Sequence, residues 1–215
     1  MSTDRSQLAT LAAARRPIQW PTDVVFVDLE TTGLDERTHG LTEIAVIRTD
    51  SNLIARPEGT IHLRVDVAAS ALVCDWSREH TAWGQLGAAA WVASGSKPIT
   101  TALEIVGRLL DGAALAAQHL PFEARWLERL YKDAPAETSG REWILSRRWQ
   151  RYAIDTRQLA APLLAQRRVE STNLRSLCDF VGVDLSKHHD ALCDARACHQ
   201  IARRLLGGVS YARQG

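Results

Sequence analysis

The sequence contains no apolar run that approaches the roughly 20 residues needed to cross a bilayer, so we expect no membrane segment. The apolar patch at residues 8–14 is short, lacks a basic n-region and is followed by Arg15 and Arg16, which argues against a signal peptide. Cysteine is also scarce. The four cysteines form no CxxC pair and no disulfide framework, so we expect reduced thiols in a cytoplasmic protein.

Lysine is nearly missing, and a strong net charge is missing altogether. Only three of the 26 basic residues are lysines, so 23 are arginines, and the formal net charge is +1. This balance excludes a polybasic protein and means that any nucleic-acid contact must come from local clusters. Residues 133–151 interleave arginines with tryptophans. They fit either a surface that binds a nucleic-acid strand or a solvated helix face that packs on its aromatic rings.

Residues 24–33 (VVFVDLETTG) combine an apolar strand with acidic residues. The unbroken apolar run at 24–27 is typical of a central strand that is buried on both faces. Asp28 and Glu30 follow on one face, about 7 Å apart, because side chains alternate along a strand. Neighbouring buried carboxylates repel each other, so either a divalent cation lies between them or they are solvated acids at a strand end. Gly33 would let the backbone approach a ligand closely.

The rest of the pattern predicts further strands and helices. Runs at 41–48 and 59–65 predict two strands that short connections make antiparallel neighbours of the first, and short strands follow at 113–117 and just before Asp155. Helices are expected at residues 99–110, 121–132, 172–181 and 190–206. We expect the intervening tryptophans to fill the core: Trp76, Trp83 and Trp91.

Two more acids lie on the apolar faces of predicted helices. At about 100° per residue, Glu123 and Asp194 both fall within the packed arc of their helix. Glu123 is either a partner of the helix dipole or a ligand aimed at a site. His188 and His189 stand directly before the last helix. A zinc site is disfavoured because its candidate ligands scatter around that helix: Cys193, Cys198 and His199.

Four inward-facing acids on three separated elements, together with a histidine, carry a specific resemblance. The motifs resemble, in order, those of the DEDDh class of 3′-to-5′ exonucleases in the RNase H-like superfamily: DLETTGL at 28–34, AQHLPFEARWL at 117–127, IDTRQLA at 154–160 and HDALCDA at 189–195. The similarity is strongest to the proofreading subunits of bacterial replicative polymerases. It implies an α/β, RNase H-like fold with a five-stranded mixed sheet flanked by helices. The implied domain covers 21–207, between an N-terminal arm or short helix (1–20) and a short tail (208–215).

The resemblance also implies roles for single residues. Two divalent cations, Mg²⁺ or Mn²⁺, would be held by Asp28, Glu30, Glu123 and Asp194. His189, at the HxxxxD spacing from Asp194, would be the general base, and the adjacent His188 is its rival. The residues implied to contact the terminal nucleotide are Thr31, Thr32, Gly33, Leu34 and Phe122, whose alternative role is an ordinary turn and core.

Two positions depart from the family pattern. Leu120 and Glu123 stand where the second motif usually has asparagine and aspartate. Even so, the resemblance implies hydrolytic removal of nucleotides from the 3′ end of DNA, in single strands or frayed ends, and association with a DNA polymerase. The alternatives are an RNA exonuclease of the same class, or a non-catalytic accessory that binds a polymerase or a strand end.

Overall fold

The computed structural model describes residues 19–207, so most of the expected N-terminal arm and all of the expected tail at 208–215 lie outside the described residues. Five strands form one mixed sheet in the order β3-β2-β1-β4-β5. β1 and β2 pair antiparallel, as do β2 and β3, whereas β4 runs parallel to β1 and β5 parallel to β4. The predicted five-stranded mixed sheet is confirmed. Its strands are β1 (Val24–Thr31), β2 (Leu41–Thr49), β3 (Ala55–Arg64), β4 (Ala114–Ala117) and β5 (Ile154–Asp155).

Helices cover both faces of the sheet. A 3₁₀ helix at Arg148–Tyr152 precedes β5. The α-helices are α1 (Asp75–His80), α2 (Ala82–Leu86), α3 (Ala88–Ala93), α4 (Ile99–Leu110), α5 (Leu120–Asp133), α6 (Arg141–Leu145), α7 (Thr156–Ala165), α8 (Leu174–Val181) and α9 (Ala191–Gly207).

The central position of β1 explains its composition. Its first four residues are fully buried, and they divide between two cores. Val25 and Val27 face the core that α4 and α5 cover, whereas Val24 and Phe26 face the core that α9 covers. Because water reaches neither face, the strand takes apolar residues at every position until its acidic end.

Strand β3 begins earlier than the sequence pattern predicts. We expect a start at residue 59, but the strand begins at Ala55. Its first four residues are exposed and include Pro57, which cannot donate a hydrogen bond to a ladder. Proline and exposed polar residues are tolerated at the edge of a sheet, and β3 is an edge strand, so the apolar pattern marks only its inner half.

Helix α9 lies across β1 and β2. Its buried residues include Ala191, Ala195 and Cys198, which pack with Phe26 against the sheet. Small side chains on this face bring the helix backbone close to the strands. The first turn of α9 therefore lies beside the acidic end of β1.

The arginine- and tryptophan-rich segment lies at the opposite end of the sheet from the acids. Its residues line a cavity of about 650 Å³ together with Thr22, which lies just before β1, and Ala114, the first residue of β4. Trp149 is buried, and the Trp143 indole N–H donates to the carbonyl of Ala113 at 2.8 Å. Packed rings with exposed arginines fit both the solvated helix face and the surface that binds a nucleic-acid strand.

Within residues 19–207, no helix combines the length and apolar character needed to span a membrane. The four cysteines are free thiols. Two of the rejected zinc ligands contact different parts of the protein: Cys198 lies against Thr156, and His199 Nε2 lies 2.9 Å from the carbonyl oxygen of Leu53.

Candidate active site

Three of the predicted metal ligands converge at the end of β1. One carboxylate oxygen from each of Asp28, Glu30 and Asp194 lies within 4.8 Å of the other two. Asp28 and Glu30 come from alternate positions of β1, and Asp194 comes from the first turn of α9. This is the juxtaposition expected from strand alternation and from the helical wheel. It gives three carboxylates that one cation can contact together.

Glu123 enters the same cavity from α5. It lies in the first turn of that helix, is 5% exposed, and lines a cavity of about 370 Å³ with the other three acids. Its Oε2 atom is buried without a hydrogen-bond partner among the described residues. Glu123 is not part of the group whose oxygens lie within 4.8 Å of one another. The side chain of Glu123 thus reaches the cavity, but its carboxylate lies outside the cluster formed by the other three acids.

The two histidines have different surroundings. His188 Nδ1 lies 2.9 Å from Asp194 Oδ2, and the backbone N–H of His189 donates to the same oxygen at 3.3 Å. Asp194 Oδ1, in contrast, is buried without a hydrogen-bond partner in the described part of the chain. His189 Nδ1 lies 4.0 Å from Glu30 Oε1. One histidine is engaged with a carboxylate, and the other keeps its ring nitrogens free of direct hydrogen bonds within residues 19–207.

Crowding of acids changes their protonation. Burial, followed by repulsion from Glu30 and Asp194, raises the pKa of Asp28 well above its ordinary value. Burial and the nearby Asp194 raise the pKa of Glu30 to about 8. Burial also raises the pKa of Glu123 to about 8. Without a positive partner, this cluster therefore holds protons at neutral pH.

His189 is shifted in the other direction. Burial, with smaller contributions from His188, His80 and Arg175, lowers its pKa to about 4. The sequence alone suggests an ordinary value near 6.5. The lower pKa means that the imidazole is neutral at physiological pH and can accept a proton.

Stacked rings hold His189 in place. Its ring lies 3.8 Å from that of His188 and meets the edge of Trp76 at 4.8 Å, while Trp76 stacks on His80. The backbone of His189 has φ 68°, in the left-handed region that is uncommon for residues other than glycine. Contacts on several sides maintain this conformation, as is typical of functional sites.

Trp76 is the main residue of the cavity wall that sequence reasoning misses. We expect a core tryptophan, but Trp76 is 48% exposed and lines the acidic cavity. Trp91 does fill the core, where its indole N–H donates to the carbonyl of Val65. The short helices around these residues have no regular apolar period, so the sequence carried no signal to separate an exposed ring from a buried one.

The predicted substrate-contacting residues divide into two groups. Thr31, Gly33, Leu34 and Phe122 line the cavity, and Leu34 is 76% exposed at its mouth. Thr32 is not among the residues that line the cavity. Its hydroxyl donates to the carbonyl of Leu72 at 2.6 Å and accepts from the N–H of Gly40 at 2.8 Å, so it ties two loops together.

Gly33 has a packing role besides its place in the cavity wall. A Cβ at this position would lie 2.1 Å from the His39 ring, so a side chain cannot fit without moving that ring. Leu120, where the family usually has asparagine, is also outside the cavity: its backbone N–H donates to Asp155 Oδ2 at 3.1 Å. Gln118 and His119 line the cavity instead.

Comparisons with known proteins identify the family of the chain. A family model described as an exonuclease matches residues 25–202, so the chain belongs to this exonuclease family. The fold and the resemblance to the DEDDh class are thereby confirmed.

Particular relatives fall into two groups. DNA polymerase III PolC-type from Thermotoga petrophila is 26% identical over 182 residues, which is 85% of this chain and 12% of the polymerase. Oligoribonuclease from Sodalis glossinidius is 34% identical over 107 residues, which is 49% of this chain and 50% of that relative. In fold, the chain is similar to Exonuclease I of E. coli in complex with a dA16 oligonucleotide, with a TM-score of 0.69 at 17% identity, covering 86% of this chain and 42% of that chain. The chain thus spans half or less of each relative.

A divalent cation fits the residues present. Buried carboxylate oxygens on Glu123 and Asp194 lack hydrogen-bond partners within residues 19–207, and the cluster supplies oxygen ligands. A positive ion would also remove the repulsion that raises the pKa values of these acids.

The raised pKa values predict how stability depends on pH. Glu30 and Glu123 ionise near their ordinary value of 4.5 when unfolded but near 8 when folded. From pH 4.5 to 8 the folded state therefore binds more protons, and the free energy of unfolding falls as pH rises. In EDTA we expect the melting temperature to fall on the order of 5 °C between pH 6.5 and 8.

Calorimetry in EDTA and in Mn²⁺ tests this expectation. Mn²⁺ should raise the melting temperature more at pH 8 than at pH 6.5, because protons compete with the cation. The Glu123→Gln variant should show a flatter pH dependence in EDTA than the parent protein. Equal slopes in the two proteins would mean that Glu123 is ionised in the folded state.

Proposed function

We propose that the protein is a metal-dependent 3′-to-5′ exonuclease that removes nucleotides from DNA 3′ ends, in single strands or frayed duplex ends. The observation that carries this proposal is the convergence of Asp28, Glu30 and Asp194 within 4.8 Å, in one cavity with Glu123 and His189. The polymerase relative and the DNA-bound structural neighbour support DNA as the substrate. Association with a DNA polymerase is part of the same proposal.

The residues of the site divide the chemistry among them. Asp28, Glu30 and Asp194 would hold one Mg²⁺ or Mn²⁺ ion, and Glu123 would support a second together with Asp28. When bound, such ions lower the pKa of water, neutralise phosphate and stabilise the leaving 3′-oxygen. Asp194 is oriented for this role by His188 and by the backbone N–H of His189, which hold Oδ2 and leave Oδ1 without a partner among the described residues.

His189 would act as the general base. The oxygen of a water forms a bond to the phosphorus of the terminal phosphodiester as the imidazole takes a proton of that water. The bond from phosphorus to the 3′-oxygen breaks, the terminal nucleotide leaves as a 5′-monophosphate, and the 3′-oxygen of the shortened strand takes a proton from solvent. His189 is suited to this step because it is neutral at physiological pH and its ring is fixed by His188 and Trp76. His188 is a weaker candidate, since its Nδ1 faces Asp194.

The apolar mouth of the cavity would hold the terminal base. Leu34 is largely exposed, and Phe122 and Trp76 also line the cavity. Aromatic faces stack on any base, so these contacts favour a single strand without selecting its sequence. Gln118 and His119 would supply polar contacts that Leu120 cannot make.

RNA is the second candidate substrate, and the similarity to oligoribonuclease favours it. The deciding experiment incubates the protein with 5′-labelled single-stranded DNA and RNA of matching sequence in Mg²⁺, Mn²⁺ or EDTA. We expect a cation-dependent ladder that shortens from the 3′ end, faster on DNA. A faster ladder on RNA would reassign the substrate. No ladder on either polymer would favour the non-catalytic accessory.

Substitution of Glu123 tests its role at the metal site. Glu123→Asp should keep the Mg²⁺-supported rate within about threefold or raise it, because aspartate restores the usual ligand, whereas Glu123→Ala should lose roughly 10- to 100-fold. Both variants are compared in Mg²⁺ and Mn²⁺ with Glu128→Asp, a position on the same helix whose carboxylate pairs with Arg147. A purely structural Glu123 would give changes that do not depend on the cation.

A further inference from the structure

Glu43 is a buried acid next to the site that takes no part in the metal cluster. It lies on β2 directly opposite Glu30 and is 3% exposed. Its Oε2 atom lies 2.9 Å from Nε2 of His62 and accepts the backbone N–H of Ala191 at 3.3 Å. A buried carboxylate is tolerated only when such partners satisfy it. Glu43 therefore links the edge strand β3 to the start of α9.

The link is made at the first residue of α9. The first N–H groups of a helix have no partner within the helix. Here Glu43 accepts the N–H of Ala191, and the Asp190 carboxylate accepts the N–H of Cys193 at 2.9 Å. Negative charge at this end of a helix is favourable because of the helix dipole. Two carboxylates thus fix the first turn of α9, one from the loop and one from the sheet.

Asp194 lies in that same turn. Its backbone N–H donates to the carbonyl of Asp190 at 3.0 Å, so any tilt or rotation of the helix start moves its carboxylate directly. The loop that holds His188 and His189 enters the helix at the same point. A misplacement of about 1 Å in a catalytic constellation can reduce rate by about 10²-fold.

We propose that Glu43 and His62 form a positioning pair that fixes the first turn of α9 on the sheet and thereby places Asp194 and His189. His62 holds the carboxylate of Glu43, and Glu43 holds the helix. In agreement, the hydrogen bond that His62 donates to the Glu43 carboxylate raises the pKa of His62. The inference rests on the proposed nuclease function for its catalytic consequence, while the structural step stands independently of it.

A cation between these residues is the competing explanation. Ligand atoms of Glu43, His62 and Asp190 lie within 4.8 Å of one another. However, the carboxylate of Asp190 is engaged by the Cys193 N–H, and Glu43 has two donors. These contacts satisfy the carboxylates without an ion, which favours the direct pair.

The test compares Glu43→Gln, His62→Ala and His62→Gln with the parent protein. Glu104→Gln is the matched control, because Glu104 also accepts a backbone N–H, that of Ser139 at 2.9 Å, but does not line the site. Hydrogen exchange is measured at the amides of residues 191–194. We expect at least about tenfold faster exchange in Glu43→Gln and His62→Ala, and recovery in His62→Gln, whose amide can still donate to Glu43.

Steady-state kinetics gives the catalytic readout. At saturating cation, kcat should fall roughly 10- to 100-fold in Glu43→Gln and His62→Ala, while KM for the nucleic-acid substrate changes by less than about threefold. His62→Gln should recover most of kcat, and Glu104→Gln should match the parent protein.

Three results would overturn the positioning pair. The first is hydrogen exchange at residues 191–194 that is unchanged in the Glu43 and His62 variants. The second is a kcat for Glu43→Gln that equals the kcat for Glu104→Gln. The third concerns bound Mn²⁺. If the Asp28→Asn variant retains Mn²⁺ after dialysis and the Asp28→Asn/His62→Ala double variant does not, a cation is bound in place of the pair. If the parent protein degrades no strand, the proposed function fails, yet the exchange measurement still decides the structural step.

Discussion

Replacing Asp28 with asparagine should abolish cation-dependent cleavage, with a loss of about 10³-fold or more, equivalent to at least about 4 kcal/mol of transition-state stabilisation. Asp28 lines the acidic cavity, and one of its carboxylate oxygens lies within 4.8 Å of an oxygen of both Glu30 and Asp194. An amide keeps the size of the side chain but loses the charge that binds a divalent cation. The measurement is the single-turnover rate on labelled single-stranded DNA in saturating Mg²⁺.

The same variant should remain folded. Burial and the neighbouring acids raise the pKa of Asp28, so its ionisation opposes folding when no cation is bound. We therefore expect the melting temperature of Asp28→Asn in EDTA to equal or exceed that of the parent protein. Asp179→Asn, an exposed acid on α8, is the control for a change of one charge. Cleavage by Asp28→Asn near the parent rate would show that this cavity is not the catalytic site.

Replacing His189 with alanine should lower kcat by roughly 10²- to 10⁴-fold, the usual contribution of a general base. Additional cation should not restore the rate, because the proton acceptor itself is missing. At saturating cation, the part of the acidic limb that is centred near pH 4 should also disappear. In the parent protein this limb reflects loss of the neutral imidazole, whose pKa is lowered to about 4 by burial.

His188→Ala is the matched comparison, since the two rings stack against each other. His188 faces Asp194 Oδ2, so its removal should loosen that carboxylate and raise the cation concentration needed for half-maximal rate roughly 10- to 100-fold. Saturating cation should then restore most of the activity. If the cation restores His189→Ala and fails to restore His188→Ala, the two histidines have exchanged roles.

Much of the fold and the acidic cluster could be predicted because both depend on the regular repeat of side-chain directions along strands and helices. Alternation along β1 places Asp28 and Glu30 on one face, and the helical period places Asp194 on the buried side of α9. Glu123 is recognisable for the same reason, as an acid within the apolar arc of α5. The order of the strands follows from short connections between apolar runs.

Other parts of the site depend on contacts that no period encodes. Trp76 lies in a segment of short helices without a regular apolar pattern, so its exposure could not be predicted. Thr32 looks like a substrate-contacting residue in its motif, yet its hydroxyl joins loops that are 40 residues apart in the chain. Glu43 stands within an apolar strand, and its role depends on Ala191, which is 148 residues later in the chain.

The acidic cluster combines residues of β1 and α9, so it is complete only when these two elements have packed together. Asp28 and Glu30 are near the start of the described chain, and Asp194 arrives only with its last helix. A polypeptide that lacks this helix keeps Asp28 and Glu30 but has no Asp194, so the cluster of three carboxylates is incomplete. The parts of the cluster are thus far apart in sequence and meet only through the tertiary packing of α9 on β1.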